Sequence, residues 1–139
     1  MSYCEIPDFY SESCHIARKP HRCCECRKPI EAGEKYVACA FKFDGRMFYE
    51  KQHVRCYHFA RWVNWGEPNA RNHLDSCVEF GEIRTHLFEC GDLFIDEDDV
   101  QKASTPIGEM WLRVVAGEDC APRTLPDYIS DATNKAALV

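Results

Sequence analysis

The sequence predicts an α+β fold, and three observations carry the prediction. Cys23 and Cys26 form a Cys-x-x-Cys pair, His53 and Cys56 form a His-x-x-Cys pair at the start of a helical pattern, and an Asp44-Gly45 turn lies between them. Two donor pairs joined by one hairpin have the spacing of a four-ligand N/S metal site. The chain is 139 residues long, which suits one domain, and its 45% hydrophobic and 29% charged residues are a globular composition.

Residues 1–20 carry Pro7 and Pro20 and no helical periodicity, so they are read as an extended arm holding at most a short strand. Cys4, Cys14 and His15 lie in it, the cysteines read as buried or free thiols. Arg18, Lys19 and Arg22 precede the first cysteine pair, and Arg27 and Lys28 follow it. This basic collar has two readings: contact with phosphates, or cations that stabilise nearby thiolates.

Gly33 marks a turn, and Lys35 to Phe43 reads as a strand that ends at Asp44-Gly45. That dipeptide suits a type I′ turn, which needs φ > 0 at both central positions. The return strand runs from Arg46 to about Lys51, in a register that pairs Phe43 with Arg46, Phe41 with Phe48 and Ala40 with Tyr49. Val37, Cys39, Phe41 and Phe48 then share an inward face, which makes Cys39 a core residue.

His53 to about Trp65 reads as a helix ended by Gly66 and Pro68, with Phe59, Trp62 and Val63 as its core stripe. His53 and Cys56, three apart, would project from one face of its first turn, where the helix dipole favours a thiolate. Residues 66–76 read as a loop, dividing a region 1–66 from an acidic, mainly helical region 67–139 that packs on it and ends in a tail. Within the second region a short helix is expected over Ile83–Cys90. An acidic stretch from Asp92 to Asp99 follows, with Leu93, Phe94 and Ile95 as an apolar insert. A further helix opens at Thr105-Pro106 and stops at Gly117.

With the knuckle, hairpin and helix in that order, Cys23, Cys26, His53 and Cys56 predict a treble-clef zinc finger. Its one zinc ion has four protein ligands and no open position for water, so it is structural. Cys24 is the alternative to Cys23, with poorer spacing. Arg27 stands where a treble clef usually has glycine, which implies a strained turn. His73-x3-Cys77 and His86-x3-Cys90 repeat a second spacing, and with Cys4 or Cys14 they leave a second metal site open.

Ten cysteines favour metal ligation over disulfides if the chain is cytoplasmic, as expected from an N-terminus with no basic or apolar leader segment and from the lack of any apolar run of about 20 residues. Net charge is −6 and uneven: residues 1–76 hold 12 basic and 10 acidic side chains, residues 77–139 hold 5 and 13. So acidic a half repels phosphate backbones and suits a basic protein partner better than nucleic acid.

Ala17 to Cys26, then Ile30, Gly33-Glu34-Lys35-Tyr36, Asp44-Gly45 and the Cys56 helix resemble a group of small zinc-binding proteins encoded by phages and prophages. Cys77 and Phe80-Gly81-Glu82-Ile83 extend the resemblance more loosely, to about residues 10–90. Such proteins commonly have Cys-x-x-Cys as the second pair, where this chain has His53. The resemblance implies a phage or prophage origin and a treble-clef fold.

The function expected is binding. An accessory factor would dock on a host protein that handles nucleic acid, a CRISPR effector for example, and inhibit it through Glu89, Asp92, Asp96, Glu97, Asp98 and Asp99. The alternative is a nucleic-acid module using Arg18, Lys19, Arg22, Arg27 and Lys28, with Tyr36 or Tyr49 for stacking. No membrane partner is expected. An enzyme is disfavoured: the hairpin lacks the histidine of a His-Asn-His nuclease, His58 is a lone helix residue expected at the surface, and no phosphate loop or serine-nucleophile motif occurs.

Overall fold

The computed structural model describes residues 9–65 and 81–122. The arm is more than a short strand. β1 (Phe9–Ile16) pairs antiparallel along its whole length with β4 (Lys35–Phe43), which pairs in turn with β5 (Arg46–His53). The three form one sheet in the order β1-β4-β5, with β4 central. The β4–β5 register is the one the Asp-Gly turn predicts: Phe43 opposite Arg46, Phe41 opposite Phe48, Ala40 opposite Tyr49. Asp44 and Gly45 have φ of 50° and 79°, as a type I′ turn requires. The Phe41 and Phe48 rings stack 5.5 Å apart, and Cys14, Val37, Cys39, Phe41 and Tyr57 form one small core.

β2 (His21–Arg22) and β3 (Pro29–Ile30) make a separate two-stranded ribbon around the Cys23–Lys28 turn. β5 runs two residues further than expected, so His53 ends a strand and α1 (Val54–Trp65) begins after it. In α1, Phe59 and Val63 are fully buried and Trp62 nearly so. His58 is buried as well, its Nδ1 3.4 Å from Asp119 Oδ1. That corrects its expected place at the surface: Asp119, from far along the chain, packs against it.

The second half contains α2 (Ile83–Glu89), β6 (Leu93–Ile95), β7 (Gln101–Ala103) and α3 (Pro106–Val115). The apolar insert is a strand, and β6 pairs with β7 as a hairpin whose turn carries the acidic run. The described part of this half, residues 81–122, is therefore two short helices flanking a hairpin. At α3, Thr105 Oγ1 accepts from the Gly108 N–H at 3.1 Å, and Gly117 follows the C-cap with φ 111°. Both ends are as the sequence marks them. Ile107, Trp111 and Val114 form the buried stripe of α3. Trp111 meets Phe59 of α1 at 5.3 Å, so both halves share one core. The expected boundary between residues 66 and 67 lies outside the described residues, and of the expected tail, residues 118–139, only 118–122 are described; they form no helix or strand, and Ala121 among them is buried. Among those described, no helix is long and apolar enough to cross a membrane.

Candidate metal centre

The Cys23–Lys28 turn is closed by two backbone bonds. Cys23 N–H donates to Lys28 O at 3.0 Å and Arg27 N–H donates to Cys23 O at 3.1 Å. Closing so tightly forces Arg27 into the left-handed region, φ 65°. For a residue with a Cβ that conformation costs about 1–2 kcal/mol, which glycine avoids. Arg27→Gly is therefore expected to raise stability by about 1 kcal/mol, read as a higher denaturation midpoint of the metal-loaded protein; a lower midpoint would show that the turn carries no such strain.

The β2–β3 turn delivers Cys23 and Cys26, the end of β5 delivers His53, and the first turn of α1 delivers Cys56. Their donor atoms all lie within 4.8 Å of one another, a cluster able to hold a metal ion. His53 Nδ1 is 3.3 Å from Cys26 Sγ and 3.9 Å from Cys56 Sγ. Tetrahedral coordination with S and N ligands separates the donors by about 3.6–3.8 Å, so the set needs only small adjustments to close on an ion. Cys23, His53 and Cys56 are buried, and Cys26 is half-buried.

The imidazole is oriented by its other nitrogen. His53 Nε2 lies 3.0 Å from the carbonyl of Pro29. Donation there places the proton on Nε2 and leaves the Nδ1 lone pair facing the sulfurs, the tautomer a ligand needs. Glu34 Oε2 sits 3.9 Å from the same nitrogen and 3.3 Å from Arg55 Nη1. Hydrogen bonds from Cys23 and Cys56, with the Lys28 N–H and the Arg55 charge, hold the Cys26 thiol well below the usual cysteine range, to about 3. Cys56 moves the other way: its hydrogen bonds to Cys23 and Cys26, and then burial, push its thiol up. A Cys56 thiol held protonated in this way must lose its proton when a metal ion binds.

Cys24 stays out of the cluster. Its N–H donates to Lys51 O at 2.8 Å, and burial pushes its thiol up. For the second metal, Cys14 is buried in the small core, while Cys90 Sγ lies 3.6 Å from His86 Nε2 at an exposed edge. Cys4, His73 and Cys77 lie outside the described residues. Among those described, one metal-ligating group of three or more occurs.

Sequence reasoning misses Glu25. It sits inside the knuckle turn, is 2% exposed, and accepts from Gly81 N–H at 2.9 Å, Ile83 N–H at 3.3 Å and Gln52 Nε2 at 3.3 Å. Burial pushes its carboxyl up to about 7, against the two backbone N–H groups. A glutamate flanked by cysteines carries no local signal that it will be buried; only the docking of the second half decides that.

The basic collar is split. Lys28 Nζ donates to Val115 O at 3.1 Å, and Arg55 Nε, from α1, donates to Val114 O at 2.9 Å. Both place cations on the carbonyl end of α3, where the helix dipole favours them. Arg22 Nη1 donates to Arg27 O at 3.1 Å, while Arg18 and Lys19 stay exposed.

The acidic set is split too. Asp92 is completely buried and does not belong to any docking surface. Its Oδ1 accepts from Thr105 Oγ1 at 2.6 Å, its carbonyl accepts from Ser104 N–H at 3.0 Å, and its N–H donates to Leu87 O at 2.8 Å. Asp96 shapes the β6–β7 turn, its Oδ1 accepting from Asp98 N–H and Val100 N–H at 2.9 Å each. Glu97, Asp98 and Asp99 are exposed on that turn, and Glu89 is exposed at the end of α2. No protein-family model, curated protein or solved structure matches the chain, so the chemistry of the site rests on its own geometry.

Proposed function

We propose that this chain is a non-enzymatic binding protein of treble-clef architecture, stabilised by one zinc ion, that docks on a basic protein surface through the β6–β7 hairpin. The order of ribbon, hairpin and helix around the cluster supports the treble clef. Three sulfurs and one imidazole suit zinc, and four protein donors fill a tetrahedral shell as structural sites do.

The observation that carries the docking reading is the makeup of the hairpin. Asp96, Glu97, Asp98 and Asp99 occupy its turn, and Phe94, Ile95 and Val100 beside them are 45%, 48% and 45% exposed. Charge for steering next to apolar area for contact is the composition of a binding surface. The resemblance to phage and prophage proteins points to a host protein that handles nucleic acid, whose basic channel the acidic turn would occupy.

Neutralising the turn with D96N, E97Q, D98N and D99N tests this. The D96N change keeps a side-chain oxygen that can accept from the turn amides, so the fold should persist. The wild type is expected to capture one partner from host lysate, with capture by the variant reduced at least 10-fold and weakened by salt. Equal capture would remove the hairpin from the reading.

A second reading has one observation in its favour. Arg18, Lys19, Arg22 and Arg27 are exposed on the zinc side, and desolvation, followed by the charges of Lys51 and Lys19, lowers the pKa of His21 beside them. Of the two tyrosines considered for stacking, Tyr36 is buried and Tyr49 is 70% exposed. Single-stranded DNA binding that falls steeply with salt and survives neutralisation of the hairpin turn would favour this face instead.

A further inference from the structure

α2 has seven residues and no N-terminal cap of its own: Glu82, at the N-cap position, makes no side-chain bond to it. So short a helix does not hold by itself. The amide of its first residue, and that of Gly81 just before its N-cap, are satisfied from far upstream in the chain. Glu25 accepts from Gly81 N–H and Ile83 N–H, using both carboxylate oxygens. Packing at the junction is close, since a Cβ on Gly81 would stand 3.4 Å from Cys24 O.

The far end of α2 sets the start of the hairpin. Gly91 has φ 82°, its N–H donates to Phe88 O, and Asp92 N–H donates to Leu87 O. These two bonds form a Schellman termination, which fixes the direction of the exiting chain. That chain enters β6 directly, and Arg84 Nε of α2 donates to Gln101 Oε1 of β7 at 3.3 Å. Whatever positions the start of α2 therefore helps to position the hairpin, together with the Ser104 and Thr105 bonds to Asp92 at the start of α3.

Glu25 lies between two metal ligands, Cys23 and Cys26, in a turn otherwise closed by two backbone bonds. We infer that Glu25 is the latch by which the metal-held turn positions α2 and, through it, the acidic hairpin. The docking surface is then displayed in one place only while the centre is intact. Removal of the metal by a chelator frees the turn and with it the hairpin. This regulation rests on the reading of the hairpin as the docking surface, but the latch itself is independent of it.

Hydrogen exchange on the full-length, zinc-loaded protein tests the latch. Glu25→Gln keeps the size of the side chain and one acceptor oxygen but turns an N–H donor toward the α2 amides. The expected result is one zinc per chain by elemental analysis, exchange over residues 81–89 and 93–103 at least 10-fold faster than in the wild type, and unchanged exchange in β4. In the wild type, chelation should remove protection from residues 81–103 together with residues 9–65, whose fold depends on the ion.

Wild-type protection of 81–103 in zinc-loaded E25Q would overturn the inference, as would protection retained there after chelation. Loss of zinc from E25Q would also overturn it, because Glu25 would then serve the centre itself. If E25Q does not fold, Glu25→Asp, one methylene shorter, is read by the same criteria. Faster exchange in E25Q, with partner capture unaffected by neutralising the hairpin turn, would leave the latch standing and sink the docking reading.

Discussion

Cys56→Ser is expected to abolish stoichiometric zinc binding and the cooperative melting of residues 9–65. Cys56 is fully buried, and its sulfur closes the cluster from the first turn of α1. Structural zinc contributes about 10–16 kcal/mol in small modules, comparable to or larger than the whole stability of a typical domain. The core that α1 shares with α3 through Phe59 and Trp111 does not replace a term of that size. Near-UV circular dichroism and elemental analysis read the outcome. Cys24→Ser is the control: it sits beside a ligand but outside the cluster, and it should keep one zinc and a normal melt. A wild-type melt in Cys56→Ser, or zinc lost from Cys24→Ser instead, would mean that the donor set has been misassigned.

Gly108→Ala is expected to destabilise the protein by about 2 kcal/mol or more, opposite in sign to what helix propensity suggests. Alanine in place of a helix glycine ordinarily gains about 1 kcal/mol. Here the added Cβ would stand 2.2 Å from Asp92 O and 3.1 Å from Ala103 Cβ. The obstacle is backbone, which cannot swing aside as a flexible side chain would, and overpacking of this kind costs about 1–3 kcal/mol or more. Relief requires moving α3 away from Asp92. That strains the Thr105–Asp92 bond and the Ser104 N–H bond to the Asp92 carbonyl. Denaturant melts of zinc-loaded protein measure the change, and an unchanged or raised midpoint would show that α3 shifts without penalty.

Gly108 and Asp92 show where sequence reasoning stops. Neither is unusual locally: one is a glycine in a helical stretch, the other an aspartate in an acidic run. Grouping Asp92 with Asp96 to Asp99 follows from the rule that charge runs usually face solvent. It is buried because its Oδ1, carbonyl and N–H are engaged between the end of α2 and the start of α3, a junction that no local pattern encodes. Glu25 escapes notice for the same reason. Its partners, Gly81 and Ile83, lie 56 and 58 positions away along the chain. The hairpin is obscured by its three-residue strands, too short for alternation to show.

Signals confined to a few neighbouring residues were legible from the order of amino acids. The Asp44-Gly45 turn, the β4–β5 register, the Thr105 cap and the Gly117 stop each follow from backbone angles or hydrogen bonds that adjacent residues determine. That Cys23, Cys26, His53 and Cys56 would cluster was legible too, because ligand spacing within each pair is a local property and few side chains bind metal. The tertiary structure alone decided that His53 ends a strand and points Nδ1 at the sulfurs, that Lys28 and Arg55 hold the end of α3, and that Asp92 and Glu25 are buried. All of these depend on how distant segments pack together. The bonds and buried area of that packing join residues tens of positions apart, so no short window of sequence contains them.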